Sequence, residues 1–145
     1  MAKELRTQTE IRAPAGRVWQ VLSDGDRYPE WNPFIVEIQG TLTRVGRMRY
    51  RFKFLALRAW ATAAVLRAEP DLELRWAAHF LSPRLFNGEH YFVISAQSAS
   101  AVVLHHGEVF TGVTVPLVWP LLRRKGPAVY AGLNEALRTR VEAVA

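Results

Sequence analysis

The chain has 145 residues, of which 50% are hydrophobic and 22% charged, and it contains no cysteine. This composition predicts one globular domain over residues 1–145, and it excludes both a disulfide-stapled scaffold and thiol catalysis. No stretch approaches the roughly 20 apolar residues of a membrane span, and the charged first residues do not resemble a signal peptide, so a cytoplasmic location is expected.

The first predicted elements are a strand, a pair of short helices and a second strand. The first strand is expected from Lys3 to Arg12. Pro14 suits the first turn of a helix, because the missing N–H would have no partner there. Two helices are predicted between Pro14 and Asn32, and Pro29 confines the second of them to a turn or two. The second strand is expected from Phe34 to Gln39.

The third predicted strand, Met48 to Phe54, has the clearest alternation in the sequence. Basic and apolar residues follow each other strictly from Arg47 onward, which indicates one wet face and one buried face. We interpret the basic face as a solvated outer surface. The alternative, consistent with the net charge of +6, is a surface for acidic lipid or an acidic protein, or for a homodimer contact. Nucleic acid is not expected, because no recognised binding motif occurs.

Four further strands and a long helix complete the predicted order. The strands are expected near Arg58 to Ala68, Leu72 to Phe80, Glu89 to Ala96, and Ala101 to Phe110. Since consecutive strands are joined by turns, the sheet should be antiparallel. The helix is predicted to begin between Trp119 and Pro127 and to end near Val141.

Two blocks of this sequence resemble the SRPBCC superfamily, also called START-like or helix-grip proteins. The residues that carry the resemblance are Ala13-Pro14, Val18-Trp19, Val21-Leu22, Asp26, Tyr28-Pro29 and Trp31 to Phe34, then Leu85 to Phe92 and His106 to Gly112. The resemblance implies an α+β fold in which a curved antiparallel sheet of six to seven strands wraps around a long C-terminal helix. It also implies a cavity between sheet and helix. Because the superfamily includes polyketide cyclases, lipid carriers and hormone receptors, the resemblance is specific for fold and weak for function.

We predict that this cavity binds a hydrophobic or aromatic small molecule, lipid-like or polyketide-like. The residues predicted to contact the ligand are Trp31, Phe34, Tyr50, Phe52, Trp60, Trp76, Phe80, Phe86, Phe92, Phe110 and Leu133. An aromatic lining with few polar groups is typical of pockets for apolar ligands, and the alternative is that these side chains fill a solid core. The inward parity of the strand from Arg58 to Ala68 is left open, because Trp60 and Ala61 compete for the inward role.

His90, His106 and Glu108 are the polar side chains that strand parity directs inward. An odd-length hairpin loop near Ser98 would place His90 opposite His106, with Glu108 one pleat away. A buried carboxylate needs a partner or a raised pKa, so these groups are candidates for general acid/base catalysis of the cyclase or aromatase type. They could equally form a polar cluster that orients a ligand. Whether the protein is an enzyme is therefore left open.

No metal site or cofactor is predicted. None of the four histidines has the i, i+4 spacing of a helical zinc pair, and cysteine ligands are absent. The sequence also lacks a phosphate-binding glycine loop and a nucleophile-elbow serine.

Overall fold

Seven antiparallel strands and a long helix form the fold in the computed structural model, which describes residues 2–143. The strands are β1 (Lys3–Ile11), β2 (Ile35–Gln39), β3 (Gly46–Phe54), β4 (Leu57–Glu69), β5 (Glu73–His79), β6 (Asn87–Ser98) and β7 (Ala101–Thr111). They lie side by side in the order β1-β7-β6-β5-β4-β3-β2. The predicted α+β helix-grip architecture is confirmed, and the first strand, β1, pairs with the last strand, β7.

Two short helices connect β1 to β2, as the prolines indicated. Helix α1 (Ala15–Ser23) buries Val18, Trp19 and Leu22 on one face, and a 3₁₀ helix follows at Gly25–Glu30. After this segment, the side-chain oxygen of Asn32 accepts hydrogen bonds from the backbone N–H groups of Phe34 at 3.0 Å and Ile35 at 2.8 Å. The chain then enters β2 with Phe34 directed inward.

Helix α2 (Val115–Glu142) begins earlier than the sequence pattern indicated. The predicted start between Trp119 and Pro127 is wrong, because Pro120 and Pro127 both lie inside the helix. Prolines normally disfavour a helix interior, so the local signal placed the start too late. Packing overrides that signal, since Val115 is buried at the start of α2 and Trp119 and Leu122 pack against the core around Pro120.

The inner face of the sheet follows the predicted parity on β3, where Met48 and Tyr50 are buried and the arginines are exposed. On β4 the structure selects one of the two open alternatives: Ala61, Ala63 and Val65 point inward. Among residues 2–143, none of the helices combines the length and the apolar character that a membrane span requires.

Candidate functional site

A cavity of about 450 Å³ lies between the inner face of the sheet and the first half of α2. This volume is in the range of small-molecule binding pockets, so the side chains do not fill a solid core. The residues around it are mostly apolar: Phe34, Tyr50, Phe52, Phe54, Leu57, Ala61, Ala78, His79, Phe80, Phe86, Glu108, Phe110, Thr114, Val118, Leu121, Leu122 and Tyr130. Ala61 and Ala78 leave room on β4 and β5, where larger inward side chains would close the space.

Six residues predicted to contact a ligand line this cavity: Phe34, Tyr50, Phe52, Phe80, Phe86 and Phe110. The rings of Phe34 and Phe52 meet edge to face with their centroids 6.5 Å apart, and Phe34 also stacks on Tyr130 at 5.4 Å. Such contacts hold aromatic side chains in defined orientations. The wall of the cavity is therefore built largely from rings that support one another.

Three other predicted residues are fully buried behind the wall and do not line the cavity. Trp76 packs against Tyr50 with ring centroids 5.8 Å apart, and Phe92 stacks on His106 at 4.4 Å. Leu133 is buried where α2 meets the sheet. Strand parity directs these side chains inward correctly, but it does not distinguish residues that border the cavity from residues that pack beneath it.

Two predicted tryptophans lie elsewhere. Trp60 takes the outer parity of β4, where the guanidinium of Arg49 lies 4.1 Å from its ring centroid. Trp31 packs against Tyr28 in an edge-to-face contact at 5.1 Å, at the end of the 3₁₀ helix. Neither side chain reaches the cavity wall, so both have structural contacts instead.

Sequence reasoning missed the part of the cavity wall that α2 supplies. Three of the missed residues lie before or within the range predicted for the start of the helix, and they line the cavity: Thr114, Val118 and Leu122. Tyr130 was also missed. It lies three residues before Leu133 and seven before Leu137, so its helical spacing was the signal that could have identified it.

Glu108 is the carboxylate of the cavity wall, and its environment is unusual. It is 7% exposed, and the hydroxyl of Tyr130 donates a hydrogen bond to its Oε1 atom. Burial raises the pKa of Glu108 to about 7, although the hydrogen bond from Tyr130 acts in the opposite direction. On β6, Gly88 makes space for the carboxylate, because a Cβ atom at that position would collide with Glu108 Oε2.

The register between β6 and β7 differs from the predicted one. His90 lies opposite Glu108 and Phe92 lies opposite His106, because the hairpin turns at residues 99–100 instead of around Ser98, and the pairing also shifts by one residue between Ala96 and Ser98. The odd-length loop near Ser98 that would have placed His90 opposite His106 does not form, so the direct pairing expected from it is wrong. The two histidines nevertheless meet diagonally, with their Nε2 atoms 2.7 Å apart. Both are fully buried, and neither borders the cavity.

A chain of hydrogen bonds determines which nitrogen of His106 carries the proton. The hydroxyl of Thr7 donates to the backbone oxygen of His106 at 2.7 Å, so its oxygen is free to accept from Asn134 Nδ2, 2.8 Å away. The side-chain oxygen of Asn134 therefore faces His106 Nδ1, at 2.7 Å. Because that oxygen can only accept, we infer that Nδ1 of His106 is the protonated nitrogen.

The protonation of His106 also determines which nitrogen of His90 carries a proton, and it thereby affects Glu108. Burial lowers the pKa of His106 to about 4 and that of His90 well below its usual value, so both rings are neutral near pH 7. In neutral His106 the Nε2 atom accepts, and His90 Nε2 must donate to it. The remaining Nδ1 of His90 then presents a lone pair 3.3 Å from Glu108 Oε1. This arrangement favours the protonated form of Glu108.

The basic face of β3 is partly engaged with its own sheet. Arg49 stacks on Trp60, and Arg51 lies 3.5 Å from the carboxylate of Glu37. These contacts support the interpretation of this face as a solvated outer surface. Within residues 2–143, no three histidine or acidic side chains are grouped so that they could hold a metal ion.

Comparisons with known proteins agree with this fold. The model of a family described as "Polyketide cyclase / dehydrase and lipid transport" matches residues 2–142. No curated protein sequence matches the chain. Among solved structures, a START superfamily protein from Mycobacterium smegmatis is 20% identical, with a TM-score of 0.79 over 98% of this chain and 99% of the other.

Two enzymes are also similar in structure. The Zhui aromatase/cyclase from Streptomyces sp. R1128 is 13% identical, with a TM-score of 0.81 over 98% of this chain and 94% of that one. Norcoclaurine synthase from Thalictrum flavum, solved with dopamine and hydroxybenzaldehyde, is 14% identical, with a TM-score of 0.72 over 100% and 89% of the respective chains. At such low sequence identities, the structural similarity shows that the folds are alike and does not extend to activity.

Proposed function

The chain belongs to the polyketide cyclase/dehydrase and lipid transport family, and from this premise we propose that it binds a hydrophobic or aromatic small molecule in the cavity beneath α2. The observation that carries the proposal is the unfilled volume of about 450 Å³, walled mainly by aromatic and aliphatic side chains. A cavity of this size and lining favours an apolar ligand, because the ligand and the wall both leave water on binding.

The carboxyl group of Glu108 gives the cavity a polar point at its inner end. Its Oε1 atom is held by Tyr130, whereas Oε2 has no hydrogen bond from a side chain within residues 2–143. In its protonated form the carboxyl can donate to a carbonyl oxygen, and in its ionised form it can accept from a hydroxyl. We therefore expect a ligand with one oxygen function at its inner end and an apolar remainder.

A pair of neighbouring alanines allows a direct test of the cavity. Ala78 lines it, whereas Ala77 points to the opposite face of β5. The probe is N-phenyl-1-naphthylamine, which fluoresces in apolar sites. The wild-type protein and an Ala77→Phe control should both bind it, and Ala78→Phe should bind at least about tenfold more weakly, because the new ring occupies the space. Equal binding by both variants would show that the probe lies elsewhere. Native mass spectrometry can then identify an apolar compound that co-purifies.

A second candidate function is acid/base catalysis of the cyclase or aromatase type. A carboxyl group with a pKa of about 7 inside an apolar cavity can both donate and accept a proton near neutral pH. Glu108 would then be the catalytic residue. His90 and His106, which do not border the cavity, would be positioning residues that act through Glu108.

One substitution separates the two functions. In Glu108→Gln the side chain keeps its shape and can still accept the hydrogen bond from Tyr130, but it cannot transfer a proton. If Glu108 only orients a ligand, binding of the naphthylamine probe should change by no more than a few-fold. If it is catalytic, dehydration of a β-hydroxyketone probe, followed by the absorbance of the enone, should be abolished in the variant while binding persists. Absence of turnover in the wild-type protein would leave binding as the function.

A further inference from the structure

Exposed hydrophobic side chains surround the open end of the cavity. Three segments contribute them: the β3–β4 turn with Leu55 and Leu57, the β5–β6 loop with Leu81, and the start of α2 with Val113 and Leu117. The exposed fraction is 84% for Leu81, 83% for Leu117 and 72% for Val113. We call these three segments, residues 53–58, 79–86 and 112–125, the mouth rim.

Contacts within the structure place the three segments beside the same opening. Leu57, Phe80 and Leu121 each belong to one of them, and all three line the cavity. The N–H groups of Val113 and Thr114 donate to the backbone oxygens of the β5–β6 loop at 3.0 Å and 3.1 Å, which joins that loop to the start of α2. Strand β4 extends past the end of β5, because Thr62 is paired with His79, so the β3–β4 turn forms the opposite side.

The hydrophobic character of the rim is not explained by folding. Single exposed leucines are common, but a group of them around one opening marks an interaction surface. Two of the leucines also occupy unfavourable backbone conformations, with φ of 55° at Leu55 and 68° at Leu81. This left-handed region favours glycine or asparagine, so a leucine there is unfavourable in conformation as well as in hydration.

The charges of the rim have one sign. Its three segments carry Lys53, Arg58, Arg84 and the run from Arg123 to Lys125, and they contain no acidic residue. On α2, Leu117, Leu121 and Arg124 follow each other at helical spacing, so the basic group lies about 10 Å farther along the helix than the outermost leucine. The exposed leucines therefore lie beside a group of basic side chains.

We propose that the mouth rim docks onto an anionic lipid bilayer, with its leucines inserted at the interface and its cations against the headgroups. Apolar side chains flanked by cations are the pattern by which proteins bind anionic membranes, because insertion and electrostatic attraction then add. The opening of the cavity would face the bilayer, so an apolar ligand could enter without crossing water. Docking goes beyond the proposed ligand binding, since it requires no occupant in the cavity.

Co-sedimentation with vesicles tests the hydrophobic part of the proposal. The vesicles contain phosphatidylcholine alone or mixed with phosphatidylserine. The wild-type protein should sediment with the mixed vesicles, and the double variant Leu81→Ser/Leu117→Ser should bind at least about tenfold more weakly. The matched control is Leu66→Ser/Leu72→Ser, because these leucines are 45% and 57% exposed at the other end of the sheet. An equal loss in the control would overturn the assignment to the rim.

Charge reversals test the electrostatic part. Arg84→Glu and Arg124→Glu should each reduce binding to phosphatidylserine vesicles by roughly fivefold or more, and added salt should weaken wild-type binding. Arg47→Glu, at the far end of β3, makes the same change in net charge and should have a smaller effect. Binding that is indifferent to phosphatidylserine, or absent with both kinds of vesicle, would overturn the proposal.

The alternative to membrane docking is that the mouth rim contacts a second copy of the chain. Light scattering after size-exclusion chromatography tests this alternative. A dimer that forms in the wild-type protein and is lost in Leu81→Ser/Leu117→Ser, without vesicle binding, would overturn membrane docking. The naphthylamine assay contains no lipid, so its result decides on the cavity independently of these outcomes.

Discussion

The inner end and the mouth of the cavity depart in opposite ways from the usual distribution of side chains. At the inner end, Glu108, His90, His106 and Tyr130 are polar but almost completely buried. At the mouth rim, leucines are exposed among cations. The polar groups at the inner end form hydrogen bonds with one another and with Asn134, so substitutions there should alter the stability of the fold. The rim side chains have few packing partners, so changes there should alter interactions and leave stability nearly unchanged. The predictions below test this contrast.

The largest effect on the free energy of unfolding is expected from His106→Ala. The substitution removes a ring that stacks on Phe92, and it leaves the Nε2–H of His90 and the oxygen of Asn134 buried without partners. Loss of packing and loss of hydrogen bonds together should lower the free energy of unfolding by about 3 to 4 kcal/mol, measured by urea denaturation.

The control for this variant is His105→Ala. His105 is the next residue along β7 and lies on the outer, less buried face. Its replacement should change the free energy of unfolding by no more than about 0.5 kcal/mol. If the two variants are equally destabilised, the buried hydrogen-bond chain does not stabilise the inner end.

The second prediction concerns the pH dependence of Glu108→Gln. The pKa of Glu108 is about 7 in the folded protein and near the ordinary glutamate value of 4.5 when the protein is unfolded. A raised pKa means that the protonated form stabilises the fold below about pH 4.5, and this stabilisation is lost as the pH rises through 7. Glutamine cannot ionise. The variant should therefore gain stability relative to wild type as the pH rises, by an amount on the order of 3 kcal/mol at about pH 8.

Thermal or urea unfolding of both proteins between about pH 4.5 and pH 8 provides the measurement. The buried histidines have lowered pKa values and act in the opposite direction, since their stabilisation is lost as the pH falls. Both proteins contain them, so the difference isolates Glu108. Glu89→Gln, on the outer face of β6, is the control and should show no comparable gain. A constant difference across this range would contradict the raised pKa.

The smallest effect on stability is expected at the mouth, from Leu81→Asn. Asparagine tolerates the left-handed backbone at this position better than leucine, and the side chain is 84% exposed. The free energy of unfolding should stay within about 0.5 kcal/mol of wild type, while binding to phosphatidylserine vesicles decreases. A loss of more than about 1 kcal/mol would show that Leu81 packs within the fold, and the contrast between the two regions would fail.

Much of the fold could be predicted because its signals are local. The alternation from Arg47 to Phe54 identified β3 and both of its faces, and Pro14, Pro29 and Pro33 indicated that the two helices between β1 and β2 are short. The start of α2 could not be predicted in the same way. Pro120 and Pro127 indicated a break, but burial of the helix against the sheet outweighs the hydrogen bonds that these prolines remove.

The candidate site was predictable in its chemistry and less so in its arrangement. The sequence indicated an aromatic wall and a buried group of His90, His106 and Glu108. It did not indicate Tyr130 as the partner of Glu108, because the two are 22 residues apart and meet only when α2 lies across the sheet. Nor did it indicate the shifted pairing of β6 with β7.

By itself the sequence determined the order of elements, the wet and buried faces of β3, and the kinds of side chain available to a site. These follow from backbone sterics and from periods of 2 and 3.6 residues, which act over a few neighbouring positions. Only the tertiary structure decided which aromatic rings border the cavity, which parity β4 presents, and which atoms of Glu108 and the histidines meet. The cavity is the volume left between a sheet and a helix that approach each other only partly. Its shape depends on distances between segments far apart along the chain.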